Sequence, residues 1–483
     1  MRSGAGLACR SPAARSSPWP TIRWAPPAPE HPPGRTAETS SDGKLLPLIA
    51  LPCILKENTF VELTRRNFGK LALATGAVAA VGTGAGTALS RSADAAATWK
   101  TTGTTVSALA GFDNQMKTFM QARGVTGGQL AVTYKGRLVL ARGYSTSTAL
   151  TVQPTSLFRV ASVSKMFTAA AIMKLVQDGK LSLTTPVGNI IAITPPTGQT
   201  KDTRWSAVTI KRLLQHLGGF DRDVSGDPNF KDAIIAKALG VPMELQHADE
   251  IKYMAGQKLD FAPGSKYAYS NFGYVLAGRV IEKVSGLSYE TYVKQKLLAP
   301  LKITRMAQGW TIAKHTGEVP YESQYTGPTV LDNTGTIVAA PYGSFSMRIQ
   351  DSNGGWIASA PDLVRFAKMF DASSSVLNTA SLNSVWAKPE IGIQPDGWYY
   401  GLGWQIRPTT AGGAGRNTWH TGSMPGTFSI VVRTYNGMSW AALFNRRDDP
   451  SGKSYGDIDA ALWTAANGVK TWPTNDMFPQ YFS

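Results

Sequence analysis

Cysteine is almost missing from this 483-residue chain: there are two, Cys9 and Cys53, both within the first 60 residues. That excludes a disulfide-built scaffold and a multi-cysteine metal site. Beyond residue 53 no thiol exists to act as a nucleophile. Histidine is scarce too, with five in all and no H-E-x-x-H or comparable cluster, which argues against a zinc centre. No G-x-S-x-G occurs, so the nucleophile elbow of the α/β-hydrolases is absent. Acidic residues number 32 against 49 basic ones, giving a formal charge of +17. Hydrophobic residues make up 43% and charged residues 17%, which excludes fibrous and wholly disordered classes. Length alone suggests about three domains at roughly 150 residues each.

The N-terminal part is compositionally separate. Ten of the 29 prolines fall in the first 60 residues, and this stretch has no hydrophobic period. It cannot bury enough surface to repay its ordering entropy, so residues 1–60 are predicted to be a disordered extension, or the product of a start site assigned too far upstream. Residues 64–70 read T-R-R-N-F-G-K, followed by a weakly apolar, uncharged run from Leu71 to Ser90 and by A-D-A-A-A at 93–97. This pattern predicts a twin-arginine export signal at 61–97 built on Arg65-Arg66, and hence an extracellular or extracytoplasmic protein. Gly76, Gly82, Gly84 and Gly86 make the run a poor membrane helix, so no stable membrane anchor is expected. Cleavage after Ala97 leaves 386 residues without cysteine, and losing 11 basic and 6 acidic residues brings +17 to +12. Such a surface favours anionic cell-envelope polymers over nucleic acid as a partner.

In the remaining chain, residues 106–123 carry apolar positions at helical spacing. Gln129–Tyr134 and Arg137–Gly143 alternate around Lys135-Gly136 and read as a β-hairpin. Ala161–Gln177 reads as a helix ending at Asp178-Gly179. Strand patterns return at Trp398–Ile406, Asn417–His420, Phe428–Thr434 and Trp440–Phe444, and a last helix spans about Asp457–Ala466. Strands at both ends predict one sheet built from both termini, with a mostly helical lobe inserted between them. The sheet lobe covers about 98–158 and 398–470, and the helical lobe about 159–397. A cleft between lobes is a favoured place for a site. Trp310, Trp356, Trp398, Trp404 and Trp419 are available to line a groove, although core packing is the commoner use of tryptophan.

One chemical pattern stands out at the start of the 161–177 helix, where Ser162-Val163-Ser164-Lys165 places a hydroxyl and an amine three residues apart. Residues at that spacing share a helical face. A partly desolvated lysine can then accept the serine proton, and the helix N-terminus offers N–H groups to a developing oxyanion. Alone, S-x-x-K is a weak signal. Two further elements follow: Tyr269-Ser270-Asn271 at the start of a predicted helix, and His420-Thr421-Gly422 on a predicted strand. The set, in this order, resembles the serine β-lactamase and penicillin-binding superfamily, nearest its class C and D,D-peptidase branch. Flanking segments agree in kind and order: L-L-Q-H-L-G-G-F at 213–220, G-G-W-I-A-S-A-P-D-L-V-R-F at 354–366 and G-L-G-W at 401–404. The resemblance spans about residues 105–465.

The resemblance implies an α+β fold, an antiparallel sheet flanked by helices, in a single catalytic domain over 98–483, with no cofactor and no metal. It implies that Ser162 is the acylated nucleophile and that Lys165 takes or shuttles its proton. Tyr269 would act as general base or acid, with the charge of Lys165 favouring its phenolate. Asn271 would orient the acyl side of a substrate, His420 would hydrogen-bond near Tyr269 or the leaving group, and Thr421 and Gly422 would help to bind and orient the substrate. The backbone N–H groups of Ser162 and Ser423 would form the oxyanion hole. Arg407, on the strand before H-T-G, is a candidate for binding a substrate carboxylate, although a solvated arginine is the commoner case. His216, in H-L-G-G where the family usually has H-T-S-G, reads as structural. A second H-T-G at His315-Thr316-Gly317 lies outside any strand pattern and reads as a coincidental loop.

Dedicated β-lactamases of the branch carry K-T-G at the third box, whereas H-T-G is seen in D,D-carboxypeptidases and in esterase or D-amino-acid amidase relatives. The resemblance therefore implies a secreted serine hydrolase on a small peptide, ester or β-lactam. A D-alanyl-D-alanine carboxypeptidase-like activity comes first, an esterase or D-amino-acid amidase second and a β-lactamase third. Outside the enzymes stands an envelope-binding or penicillin-sensing module.

Overall fold

The computed structural model of the protein describes residues 98–146, 149–409, 415–447 and 452–482. The proline-rich extension and the twin-arginine segment, including Arg65 and Arg66, lie outside the described residues.

Strands from both ends of the chain meet in one eight-stranded sheet. Across it run Lys100–Thr102, Arg137–Ser145, Gly127–Tyr134, Met438–Phe444, Thr427–Arg433, Gly415–Met424, Gln405–Thr409 and Tyr399–Tyr400, in that order. Every neighbouring pair is antiparallel. The predicted hairpin is present: Lys135 and Gly136 both have positive φ, 49° and 74°, as a two-residue type I′ turn requires.

Because side chains alternate across a strand, the sheet has two apolar faces. Leu130, Val132, Ile430, Val432 and Trp440 pack with the helices Ala110–Ala122 and Ile458–Asn467. Ala131, Val431, Ala441 and Ile406 face the opposite core, which contains Ser164–Gln177 and Ala360–Lys368. Ser164–Gln177 is rich in Ala, Met and Leu and is buried nearly all round, as expected of a helix without a polar face. Phe167 fixes it edge-on against Phe366 and Trp356, with ring centroids 4.6 and 5.8 Å away. Truncating such a buried ring costs about 3–5 kcal/mol.

The expected strand over 398–406 is broken. Tyr399–Tyr400 and Gln405–Thr409 are separated by the G-L-G-W turn, which crosses the 164–177 helix. Gly403 has φ +76°, and a Cβ there would lie 2.7 Å from the Ala169 Cβ and 2.9 Å from the Lys165 carbonyl oxygen. Close approach to the helix, not strand pairing, decides this stretch. Among the described residues no helix is long and apolar enough to cross a membrane.

Candidate active site

The nucleophile candidate sits on a constrained turn. A short 3₁₀ turn, Ala161–Val163, leads into the helix Ser164–Gln177. Ala161, directly before Ser162, has φ +46°, a conformation that costs a non-glycine residue of order 1 kcal/mol. The surroundings hold it. Val160 N–H donates to the Trp356 carbonyl at 2.9 Å, and the Val160 carbonyl accepts from Ser429 Oγ at 2.7 Å. Gly422 of the H-T-G box lies against the same carbonyl, where an added Cβ would be 2.0 Å from the Val160 oxygen. The glycine of the third box thus lets the strand Gly415–Met424 approach the turn that carries Ser162.

Lys165 is fully buried. Its Nζ lies 3.1 Å from Ser162 Oγ, 2.7 Å from Asn271 Oδ1 and 2.9 Å from the Asn353 carbonyl oxygen. Burial pushes its pKa well below the ordinary lysine value, Asp227 opposes that shift and Arg222 adds to it. A neutral amine has two N–H donors and one lone pair. When the amine is neutral, Asn271 Oδ1 and the Asn353 carbonyl accept its two N–H groups and leave the lone pair for the Ser162 hydroxyl. The structure therefore brings Ser162, Lys165 and Asn271 together.

The Tyr269 side chain lies beside Ser162, which lowers its pKa, and its ring lies 4.8 Å from Lys165 Nζ. The expected phenolate is not supported. Burial raises the Tyr269 pKa, and this outweighs the opposing effects of Ser162 and Arg222. At neutral pH the group is a phenol, able to donate a proton.

His420 lies on the sheet face toward Ser164–Gln177, in register with Val431. Both ring nitrogens are engaged: Nε2 lies 2.7 Å from the Tyr400 hydroxyl and Nδ1 2.7 Å from the Thr421 carbonyl oxygen. A carbonyl only accepts, so Nδ1 carries the proton and Nε2 accepts from Tyr400. Burial, reinforced by Lys165, takes its pKa down to about 3. Tyr400, not Tyr269 itself, is the tyrosine that holds His420 as a neutral, buried imidazole. Ser423, the expected oxyanion donor, is exposed one residue past the box.

Arg407 does not join the site. It pairs with Asn417 across the strands, and its guanidinium lies 5.6 Å from the Trp419 ring centroid. It feels Asp459 of the helix Ile458–Asn467, on the sheet face away from Ser162. The cation near the site is Arg222, whose guanidinium lies 4.6 Å from the Tyr269 ring centroid. It is exposed, on the short helix Arg222–Ser225. Among the described residues no carboxylate lies within ion-pair distance of it.

His216 belongs to the site's wall. It is buried with φ +59°, and its Nδ1 accepts from the Ser270 backbone N–H at 3.1 Å. Its ring lies 4.3 Å from the rings of both Tyr269 and Tyr400. Asp227, Asn353 and Tyr400 also touch site residues and carry no motif. The second H-T-G falls in a loop, where His315 stacks on Trp310 at 3.8 Å. Of the groove candidates, Trp356 and Trp404 are core residues and Trp310 is exposed. Among the described residues no cluster of three or more His, Cys, Asp or Glu is placed to hold a metal ion.

Comparison with known proteins agrees with this geometry. The family model described as Beta-lactamase matches residues 112–462. Protein flp of Staphylococcus aureus (strain COL) is 27% identical over 215 residues, which is 44% of this chain and 41% of that protein. The chain thus spans about two-fifths of the length of the curated relatives it matches first. The octameric penicillin-binding protein homologue from Pyrococcus abyssi superposes with a TM-score of 0.54 at 27% identity, covering 76% of this chain and 79% of that one. A D-stereospecific amidohydrolase from Streptomyces sp. gives a TM-score of 0.56 at 24% identity, covering 73% and 98%; this likeness is one of fold. With the matched segment spanning most of the chain and the serine–lysine pair in place within it, the protein belongs to the beta-lactamase family of serine hydrolases.

Proposed function

We propose that the protein hydrolyses small acyl substrates through an acyl-enzyme on Ser162, and that its preferred reaction is of the D-alanyl-D-alanine carboxypeptidase type. The observation that carries this reading is the Lys165 amine, 3.1 Å from Ser162 Oγ with its other two polar contacts both acceptors. Ser162 Oγ attacks the substrate carbonyl carbon and its proton passes to Lys165. The oxyanion forms beside the N-terminus of the helix Ser164–Gln177, where backbone N–H groups stabilise it. As the bond to the leaving group breaks, the Tyr269 phenol protonates it, and the lysine ammonium returns a proton to Tyr269. Water then repeats the sequence on the ester, releasing the acid and restoring all three groups.

Two observations favour a peptide with a free carboxylate over a β-lactam. His420 is neutral, so the third box adds no fixed positive charge to the cleft. Arg222 stands over Tyr269, at the side where the leaving group is protonated, and offers a cation to a terminal carboxylate. A second reading, an esterase or D-amino-acid amidase, draws support from Arg407 facing away, which removes the cation expected on the strand before H-T-G. A purely binding role has no use for a desolvated base aimed at a serine. We also propose export by the twin-arginine route, on Arg65-Arg66 and the A-D-A-A-A segment, and affinity for anionic envelope polymers, on the basic excess.

A substrate panel tests the reading: an acyl-D-Ala-D-Ala peptide, a nitrophenyl ester, a D-amino-acid amide and nitrocefin. Release of D-alanine with the highest kcat/KM of the four is expected. Turnover of the ester or amide with none of the peptide would transfer the assignment to the second reading.

A further inference from the structure

We propose that Asp227 is a positioning residue which sets the orientation of the Asn271 amide and so keeps the Lys165 lone pair directed at Ser162. The inference rests on Lys165 being the proton acceptor, as proposed above.

Asp227 follows the short helix Arg222–Ser225 and caps the turn Pro228–Phe230. Its Oδ1 accepts from the Asn229 backbone N–H at 3.3 Å, and its Oδ2 accepts from Asn271 Nδ2 at 2.6 Å. Asn271 Oδ1 in turn accepts from Lys165 Nζ at 2.7 Å. A primary amide has nearly the same shape after a half-turn about its last bond, which exchanges its oxygen and nitrogen. Sterics alone therefore do not choose between the two orientations, and the hydrogen-bond partners must.

An ionised carboxylate only accepts. With Asp227 on one side, the Asn271 amide must turn its NH₂ there and its oxygen toward Lys165. In the reversed orientation the amide oxygen would face the carboxylate, and the NH₂ would face Lys165. The lysine lone pair would then be taken up by an N–H of Asn271 and be lost to Ser162. The Asn353 carbonyl cannot prevent this, because it is satisfied by either arrangement. Polarity thus runs one way, from Asp227 through Asn271 and Lys165 to Ser162. Burial raises the Asp227 pKa above the ordinary carboxylate value; Arg222 opposes it most, followed by the hydrogen bonds from Asn271 and Asn229 and then by Lys165.

The test separates acylation rate from substrate binding, using stopped-flow acylation by an activated ester. Asp227→Leu should lower the acylation rate constant by about 100-fold, the order of loss when a catalytic group is misplaced. The dissociation constant for the non-covalent complex should change less than about threefold on the same reasoning. Asp227→Asn can still offer an oxygen to Asn271 Nδ2 and should recover most of the rate. Equal losses in both variants, or none in either, would overturn the proposal. If Asp227→Leu does not fold, the pH profile of Asp227→Asn decides. Removing a negative charge beside Lys165 should move the acid limb of acylation to lower pH, and an unmoved limb would count against an ionised Asp227. If the wild-type chain is acylated on Ser162 while Asp227→Leu is unimpaired, only this inference falls. Absence of acylation in the wild type would overturn the base assignment as well.

Discussion

The ring of His216 lies 4.3 Å from the ring of Tyr269, and its Nδ1 accepts the backbone N–H of Ser270, the residue that follows. One side chain thus braces the phenol and fixes the main chain that carries it. His216→Ala should leave the buried Ser270 N–H unpaired at a cost of about 1–3 kcal/mol. Tyr269 would also lose a wall, and acylation should slow by about tenfold or more, in the range of a misplaced acid–base group. Thermal unfolding and single-turnover acylation measure the two effects. An unchanged Tm and rate would remove His216 from the site.

The acylation rate should depend on pH through Lys165. The amine acts when neutral, so the rate rises with pH through the lowered Lys165 pKa and then levels. Tyr269, raised by burial, stays protonated and adds no alkaline fall below about pH 10, its reference value. Stability should follow the same group. The folded pKa lies below the unfolded value of about 10.4, so between them the unfolded chain holds a proton that the native chain lacks. Stability of the wild type should therefore rise with pH across that window relative to Lys165→Met. Denaturant midpoints of both proteins from pH 6 to pH 10 check the sign, and parallel curves would contradict it.

Arg222 and Arg407 should behave differently. Arg222→Gln should lower kcat/KM for an acyl-D-Ala-D-Ala peptide by about tenfold, roughly the value of one partly solvated ion pair with a carboxylate. It should have little effect on the corresponding C-terminal amide. Arg407→Gln should leave both substrates unaffected, because its guanidinium lies against Trp419 on the far face of the sheet. Kinetics on the matched substrates distinguish the two arginines; a carboxylate-specific loss at Arg407 would reverse the assignment.

Tyr400 donates to His420 Nε2, the lone pair that would otherwise take a proton. Tyr400→Phe should therefore raise the His420 midpoint from about 3 toward the ordinary histidine range. An NMR titration of the imidazole would detect the shift, and an unmoved midpoint would assign the neutral state to burial alone.

Local features of the site were legible in the sequence. Ser162 and Lys165 are three residues apart, and that spacing predicts their contact even though a 3₁₀ turn carries the serine and the following helix the lysine. The hairpin at Lys135-Gly136 was legible for the same reason. Asn271 and His420 were found only through the order of motifs. Asp227, Asn353 and Tyr400 carry no pattern, because each reaches its partner across sequence: Asp227 lies 44 residues from Asn271 and Asn353 188 from Lys165. The state of Tyr269 was misread because burial, which decides it, is a property of the folded lobe. The sequence left Arg407 open between a carboxylate ligand and a solvated arginine, because strand phase, which sends it to the face of Trp419, depends on where pairing begins.

The central claim is that Ser162 is acylated with the help of Lys165. Intact-mass analysis after exposure to a labelled penicillin and to an activated ester, followed by peptide mapping, tests it most directly. The account predicts one added acyl group, located on Ser162, absent in Ser162→Ala and strongly slowed in Lys165→Met. No adduct with either reagent, or an adduct that persists in Ser162→Ala, would contradict it.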